Sequence, residues 1–588
     1  MYISFSGLSK AYEGKTVFEN VKGQINDGDK VGLIGSNGVG KTTLVKVLTG
    51  REEKEAGEIS YSPSYIKTLY IQQYPEFEEG ISVYEDILKF LYQWNENNNP
   101  HDAGDMETLV KTALNRVGLE EEIWNQRATS LSGGEKTKLI LTRMFVCDFD
   151  FLILDEPTNH LDMASYEWLE DFIKELDKPM LIVSHDRFFL DNVVNTIWEL
   201  TPRGLKTYEG NYTNYRLQKE MEIKNITKEY HKQQAKIQQL TVMISDRENW
   251  YHRAHKSAGQ NDYLRARAKK QASTLKAKKT QLERLEREKI EKPRKELSPA
   301  FDVINKNIIG RKIPRFLIQG KNVSKSFGDN PILKNISFNI ERGDKIAVIG
   351  ANGSGKSTFL KTICGVYDDY SGSLRINPSV SIGYFSQELD NLNHEATILD
   401  DVLKEGATVQ ETRLLLASLL FRGDDVFKKI GNLSMGEKGR VAFAKLILSG
   451  ANLLVLDEPT NYMDIQSKEK VEEALEEFQG SIIFVSHDRY FINRLASRIF
   501  LIEDKKIRIF EGNYEYYLSK SIKEKADKEK EKQLRDIMET IMKLEVELAY
   551  LGGKLDQTQD EEEKEELNRQ YLEVARTLNQ KRQQMRKS

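Results

Sequence analysis

The chain has 588 residues, 39% hydrophobic and 30% charged, with a formal net charge of −4. That length holds more than one domain, but the best membrane-span candidate, residues 414–421, ends at Arg422, far short of the ~20 apolar residues a bilayer needs, so no membrane partner is expected. The two cysteines, Cys147 and Cys364, make no disulfide or metal spacing, which fits a reducing cytoplasm, and the opening residues run straight into repeat sequence, so no signal peptide is expected.

In chain order, an apolar run at 31–34 leads into Gly35-Ser36-Asn37-Gly38-Val39-Gly40-Lys41-Thr42 and then a segment of helical character. This is the strand, loop and helix context of a phosphate-binding loop. The glycines let backbone N–H groups close around phosphate oxygens, Lys41 adds a point charge at the β- and γ-phosphates, and Thr42, followed by Thr43, offers a hydroxyl to Mg²⁺. Downstream come Gln73, a polar insert at 92–106, and Leu131-Ser132-Gly133-Gly134-Glu135-Lys136. The run 152–155 reads as a buried strand ending on Asp155, placed to reach a metal ion, and Glu156 comes next, where a carboxylate can orient or deprotonate water. Val183-Ser184-His185-Asp186-Arg187 and Glu209-Gly210-Asn211-Tyr212 close the segment.

Residues 216–292 differ in character, with 20 Lys/Arg against 10 Asp/Glu, and ten basic to two acidic residues between 247 and 279. Ile223, Ile226, Tyr230, Ile237, Leu240 and Ile244 recur at helical steps, as do Leu264, Ala268, Leu275, Leu282 and Leu285. Two helices with narrow apolar seams, joined by a tip near 249–263, form an antiparallel hairpin. Helices of about 25 to 30 residues carry that tip on the order of 40 Å outward. Rings and cations stand together there: Arg247, Trp250, Arg253, His255, Lys256, Tyr263, Arg265, Arg267, Lys269 and Lys270 suit stacking and phosphate contact in RNA. A solvated spacer is the alternative.

After an extended connector at 293–315 the first pattern returns in 316–518. Gly350-Ala351-Asn352-Gly353-Ser354-Gly355-Lys356-Ser357, with Thr358, repeats the loop 315 positions on, while Leu433-Ser434-Met435-Gly436-Glu437-Lys438, Asp457-Glu458 and Val485-Ser486-His487-Asp488-Arg489 repeat their partners at an offset of 302. The first copy, 1–215, therefore holds the insert. Met435 replaces the first signature glycine, and Asn461-Tyr462-Met463-Asp464 stands for Asn159-His160-Leu161-Asp162, so the two sites are expected to turn over unequally. Residues 519–588 step at helical spacing from Ile537 to Leu555 and, after Gly552-Gly553 and an acidic stretch, again from Leu567 to Leu578, a second hairpin with 16 basic and 16 acidic residues from 520 onward.

Both repeats resemble ATP-binding cassettes from end to end, and the Leu-Ser-x-Gly-Glu signature decides the matter. The resemblance implies an α/β fold of two tandem P-loop cassettes that hydrolyse ATP with Mg²⁺, each nucleotide held between the loop of one cassette and the signature of the other. Lys41 then pairs with Ser434, Gly436 and Glu437, and Lys356 with Ser132, Gly134 and Glu135. Asp155 and Asp457, with Thr42 and Ser357, hold Mg²⁺; Glu156 and Glu458 activate water; His185 and His487 resemble switch histidines; Gln73 and Gln387 look like the glutamines that sense the metal. Tyr12 and Phe327, each some two dozen residues ahead of its loop, are placed to stack on adenine.

Paired cassettes, no membrane domain and a basic hairpin together resemble the ABC-F proteins, which act on 70S ribosomes. In that family the linker enters the tRNA exit site of the ribosome, among 23S rRNA, and points at P-site tRNA and the peptidyl-transferase centre; closure on ATP holds the factor there and hydrolysis releases it. The short insert, the long linker, Met435 and the C-terminal hairpin look like the Bacillus-type resistance factors against lincosamides, streptogramins A and pleuromutilins. A cytoplasmic monomer is implied. A housekeeping translation factor and a transporter ATPase subunit remain the alternatives.

Overall fold

A computed structural model describes residues 1–73, 77–98, 105–158, 161, 163–257, 262–288, 301–305, 314–386, 392–403, 407–557 and 561–587, with the backbone alone at 163–164, 250–257, 262–274, 301–302, 525–534, 556–557, 561–563 and 586–587.

The runs read as buried strands are the middle of a six-stranded sheet. Its order is Thr68–Ile71, Phe151–Asp155, Met180–Val183, Lys30–Ile34, Thr196–Thr201 and Gly204–Glu209, parallel except for the final hairpin. Strands covered on both faces need continuous apolar sequence, and Leu33, Leu152, Ile153, Leu154, Leu181 and Ile182 are all fully buried. On one face lies an antiparallel sheet of Lys15–Asn26, Tyr2–Tyr12 and Ala56–Ser62, enclosing a core with Phe5, Phe18, Leu44 and Trp198. The other face packs helices through Leu139, Leu169, Ile173 and Phe189. The second copy repeats both sheets, with Lys345–Ile349 in the place of Lys30–Ile34. In each copy the phosphate loop leaves the carboxyl end of a central parallel strand, where such sheets bind ligands.

The linker departs from expectation in three places. Its first helix runs Tyr212–Ser257, 46 residues and on the order of 70 Å, so the segment with Trp250 and Lys256 is helix and not loop, and the second runs Asp262–Arg287. Leu240 and Ile244 are buried in the seam, but Ile223 and Ile226 are 45% and 44% exposed. Gln233 already bonds the carbonyl of Glu288 just past the end of the second helix, so that helix does not extend down to Ile223 and Ile226. Third, the connector read as extended contains a short helix, Phe301–Asn305, anchored where the Asn305 amide donates to Glu477 O (2.9 Å) and accepts from Gln479 N–H (2.8 Å).

The C-terminal unit is a helical hairpin, Tyr514–Gln557 and Glu561–Lys587. The first helix continues through Gly552-Gly553 and ends at Gln557, so of the interruption read above the glycines are helical and the second helix begins within the acidic stretch, at Glu561. Two helical glycines cost about 1 kcal/mol each, a penalty that seam packing by Ile541, Leu551 and Leu578 outweighs.

Candidate functional site

The two phosphate loops have the same geometry. Gly38 and Gly353 have φ of 77° and 76°, Gly40 and Gly355 of 102° and 101°. A Cβ on Gly40 would lie 2.5 Å from Val17 Cγ1, and one on Gly355 2.6 Å from Ile332 Cγ2, so both conformation and space demand glycine there. The loops open into helices Lys41–Leu48 and Lys356–Ile363, whose first N–H groups suit an anion. Lys41 Nζ donates to Gly35 O (2.8 Å) and Ser36 O (3.2 Å), and Lys356 Nζ to Gly350 O (2.9 Å) and Ala351 O (3.0 Å), which curls each ammonium over its own loop.

Asp155 and Asp457 end their strands buried, and burial raises the pKa of both. The hydroxyl expected beside each, Thr42 for Asp155 and Ser357 for Asp457, pulls the other way, and Asp155 Oδ2 accepts from the Tyr70 hydroxyl at 3.1 Å. A hydroxyl and a carboxylate are hard oxygen donors that fit Mg²⁺. Among the described residues no three His, Cys, Asp or Glu cluster to hold a metal alone, so an ion here would share its shell with phosphate and water.

Glu156 and Glu458 sit at φ of 51° and 50°, strained for a non-glycine residue. In Glu156 one oxygen, Oε2, accepts the His185 N–H (3.3 Å), while Oε1 is buried without a partner, 3.6 Å from His185 Nε2. Glu458 repeats this with His487 at 3.4 and 3.5 Å. Burial pushes both carboxyls up to about 7, against the pull of Lys41 or Lys356. A carboxylate with one tethered oxygen, one bare oxygen and a pKa near neutrality is equipped to take a proton from water. Burial and Lys41 also drive the His185 imidazole pKa well down, keeping it neutral, and its Nε2 lies 3.1 Å from Asn37 Oδ1.

These raised pKa values make a stability prediction. A carboxyl whose folded pKa of about 7 exceeds its ordinary 4.5 penalises the fold fully above pH 7, and the penalty fades as pH falls toward 4.5. Glutamine removes it. Glu156→Gln with Glu458→Gln is expected to stabilise the nucleotide-free protein at pH 8 by on the order of 2 kcal/mol per site, a gain that shrinks steadily below pH 7 and is lost below about pH 4.5. Thermal midpoints across that range measure it.

A cavity of about 900 Å³ joins the halves. Its walls include Lys41, Thr42, Thr43, Gln73, Asp155, Glu156 and His185 from one cassette and Lys356, Ser357, Thr358, Asp457, Glu458 and His487 from the other. Ser132 and Gly134 line the same cavity as the second loop. Gly436 packs against Tyr462 O, where a Cβ would come within 2.5 Å, and 3.4 Å from Asn37 Nδ2 of the first loop. Glu135 and Glu437 are engaged within their own helices: each carboxylate accepts from the backbone N–H and hydroxyl of Ser132 or Ser434, a capping box at the helix start. Met435 is exposed at the first position of its helix. Tyr12 lines the cavity with its hydroxyl on Glu52, whereas Phe327 packs edge-on against Tyr367 at 5.4 Å under Lys325. Gln387 lies outside the described residues, as do the side chains of Trp250, Arg253, His255, Lys256, Tyr263, Arg265, Arg267, Lys269 and Lys270; the backbone of all nine is helical, and Arg247 is half-buried.

Sequence reasoning missed the contacts that close the cassettes. The Asn37 N–H donates to Asp464 Oδ2 (3.0 Å) and its side-chain amide to Tyr462 O (3.1 Å), across the interface. Arg187 and Glu472, each 1% exposed, pair between the cassettes, with Asp488 3.7 Å from the same guanidinium and the Tyr490 ring 4.1 Å beneath it. The available signal was Arg187 itself, repeated as Arg489 directly after each His-Asp pair.

Comparison with known proteins agrees with this architecture. The ABC transporter family matches residues 18–159 and 333–461, and its extension, also described as ABC transporter, matches 198–303. The ribosome protection protein VmlR of Bacillus subtilis is 31% identical over 98% of this chain and 97% of its own. The chain belongs to the ABC-F family of ATP-binding proteins. Other similar ABC-F-type relatives are the putative ATP-binding protein YdiF of B. subtilis, 34% identical over 88% of this chain and 83% of its own, and ABC transporter F family member 5 of Arabidopsis thaliana, 33% over 88% and 78%. Among solved structures, the archaeal ribosome recycling factor aABCE1 shares the fold, with a TM-score of 0.56 at 20% identity over 86% of this chain and 89% of its own. This ABC-F chain is an ATP hydrolase with tandem cassettes, and no described helix is long and apolar enough to cross a membrane.

Proposed function

We propose that this ABC-F ATPase acts in the cytoplasm as a monomer. Closed on two ATP molecules, it binds the exit-site side of the 70S ribosome, directs its hairpin past 23S rRNA toward P-site tRNA and the peptidyl-transferase centre, protects against antibiotics acting there, and leaves on hydrolysis. The observation that carries the reading is similarity to a ribosome protection protein over nearly the full length of both chains. The basic hairpin supports it: positive charge and rings on a long stalk suit a folded RNA surface.

In hydrolysis, Lys41 and Lys356 neutralise the γ-phosphate, the loop N–H groups cradle it, and Ser132, Gly134, Ser434 and Gly436 close on it from the opposite cassette. Thr42 with Asp155, and Ser357 with Asp457, would hold Mg²⁺, whose charge would offset that of the phosphates. Glu156 and Glu458 orient the water through Oε1 while His185 and His487 hold them.

Sedimentation tests this: protein loaded with a nonhydrolysable ATP analogue is expected to travel with 70S ribosomes, and protein that stays at the top of the gradient refutes the reading. Neutralising Arg265, Arg267, Lys269 and Lys270 together is expected to weaken that binding about tenfold or more and to lower its salt slope by about three. A housekeeping translation role is the second reading, since YdiF and the Arabidopsis relative, both slightly more identical than VmlR, are not named as protection proteins. Gene deletion separates the two, since hypersensitivity to particular ribosome-targeting drugs marks protection and slow growth without drug marks housekeeping.

A further inference from the structure

Lys468 stands where the two halves of the cavity meet. Its Nζ lies 3.3 Å from the backbone carbonyl oxygen of His185 in the first cassette and 3.3 Å from Asp488 Oδ2 in the second. His185 belongs to the site built on Lys41, and Asp488 directly follows His487 of the site built on Lys356. One cation therefore touches the histidine segment of both sites. The side chain is 12% exposed, and its helix, Ile465–Glu477, is capped by Asp464, the same carboxylate that accepts the Asn37 N–H of the first loop. The Lys468 charge opposes burial at both Glu156 and Glu458, so its field reaches each water-orienting carboxylate.

The bridge has no mirror image. At the repeat offset of 302 the first cassette carries Tyr166, a buried ring under the Arg489 guanidinium at 4.7 Å. A phenol there supplies no cation, and the reciprocal link from the His487 segment to Asp186 cannot be built the same way.

We infer that Lys468 is a positioning residue that couples the two ATP sites, holding the His185 segment of one and the Asp488–His487 segment of the other in a common arrangement through a one-sided bridge, beside the Arg187 guanidinium 3.7 Å from the same Asp488. In a protein with one catalytic glutamate replaced, the stalled, ATP-loaded site then restrains the site that can still hydrolyse.

The test is a double-mutant cycle on the free protein without ribosomes, so its failure leaves the ribosomal reading untouched. ATP turnover is measured for Glu156→Gln and Glu458→Gln, each with and without Lys468→Met, and each rate is divided by that of its glutamate-intact parent. A purely structural role for Lys468 lowers all rates alike and cancels in this ratio. Coupling predicts that Lys468→Met raises the ratio about fivefold, the low end of ordinary coupling between two sites, while Lys468→Arg, which keeps the charge, leaves it as in the parent. An unchanged ratio for Lys468→Met, or an arginine that behaves like methionine, overturns the proposal. Asp488→Asn weakens the other end of the bridge and must move the ratio in the same direction; no movement there overturns it even if the Lys468 variants misfold.

Discussion

Glu156→Gln combined with Glu458→Gln is expected to lower ATP turnover by about 10³-fold while leaving the protein bound to ribosomes. Glutamine keeps the side chain's length and can still accept the His185 or His487 N–H now held by Oε2. What it cannot do is take a proton from water, a contribution ordinarily worth about 10²- to 10⁴-fold. Nucleotide still fits, because Lys41, Lys356 and both signature helices are untouched. The closed state then persists, and so should its ribosome complex. Phosphate release and co-sedimentation with 70S particles in ATP measure the two halves. A double variant that stops hydrolysing yet leaves ribosomes as fast as the parent would separate release from hydrolysis.

Arg187→Met is expected to disable closure. Arg187 and Glu472 meet only where the cassettes meet, both excluded from water. Removing the guanidinium leaves Glu472 with Arg494 at 2.9 Å and Asp488 with Lys468. Breaking one partner of a buried pair costs about 3–5 kcal/mol when the other charge is left uncompensated, and the pairings that remain put this loss at the low end. The cost falls on the closed state, so the apparent affinity for ATP should drop by about 100-fold or more. Replacing both residues, Arg187→Met with Glu472→Met, removes the under-compensated carboxylate, while Arg494 keeps Glu476, and should recover much of that loss. If the double variant binds ATP no better than Arg187→Met alone, the pair is not what holds the interface.

The sequence by itself determined the cassettes. Gly40, Lys41 and Thr42 act through one turn of backbone, Asp155 and Glu156 through the end of one strand, and Ser132 with Glu135 through one helix start. Chemistry confined to a few consecutive residues leaves a fixed spacing, and two copies of each spacing identify it. Helix periodicity likewise revealed both hairpins, but not where they turn. The linker's first helix runs on to Ser257, and the C-terminal one passes through Gly552-Gly553, where packing of Ile541, Leu551 and Leu578 outweighs local helix preference.

Only the tertiary structure decided which side chains meet across the cassettes. Asn37 and Asp464 are 427 positions apart, and Arg187 and Glu472 are 285 apart. Nothing in local sequence pairs residues at such distances. They become partners because two sheets present their phosphate loops toward one shared cavity. Lys468 is the clearest case: in the sequence it is one lysine on a polar helix, and the meeting of the cassettes sets it between two sites whose own motifs are nearly identical.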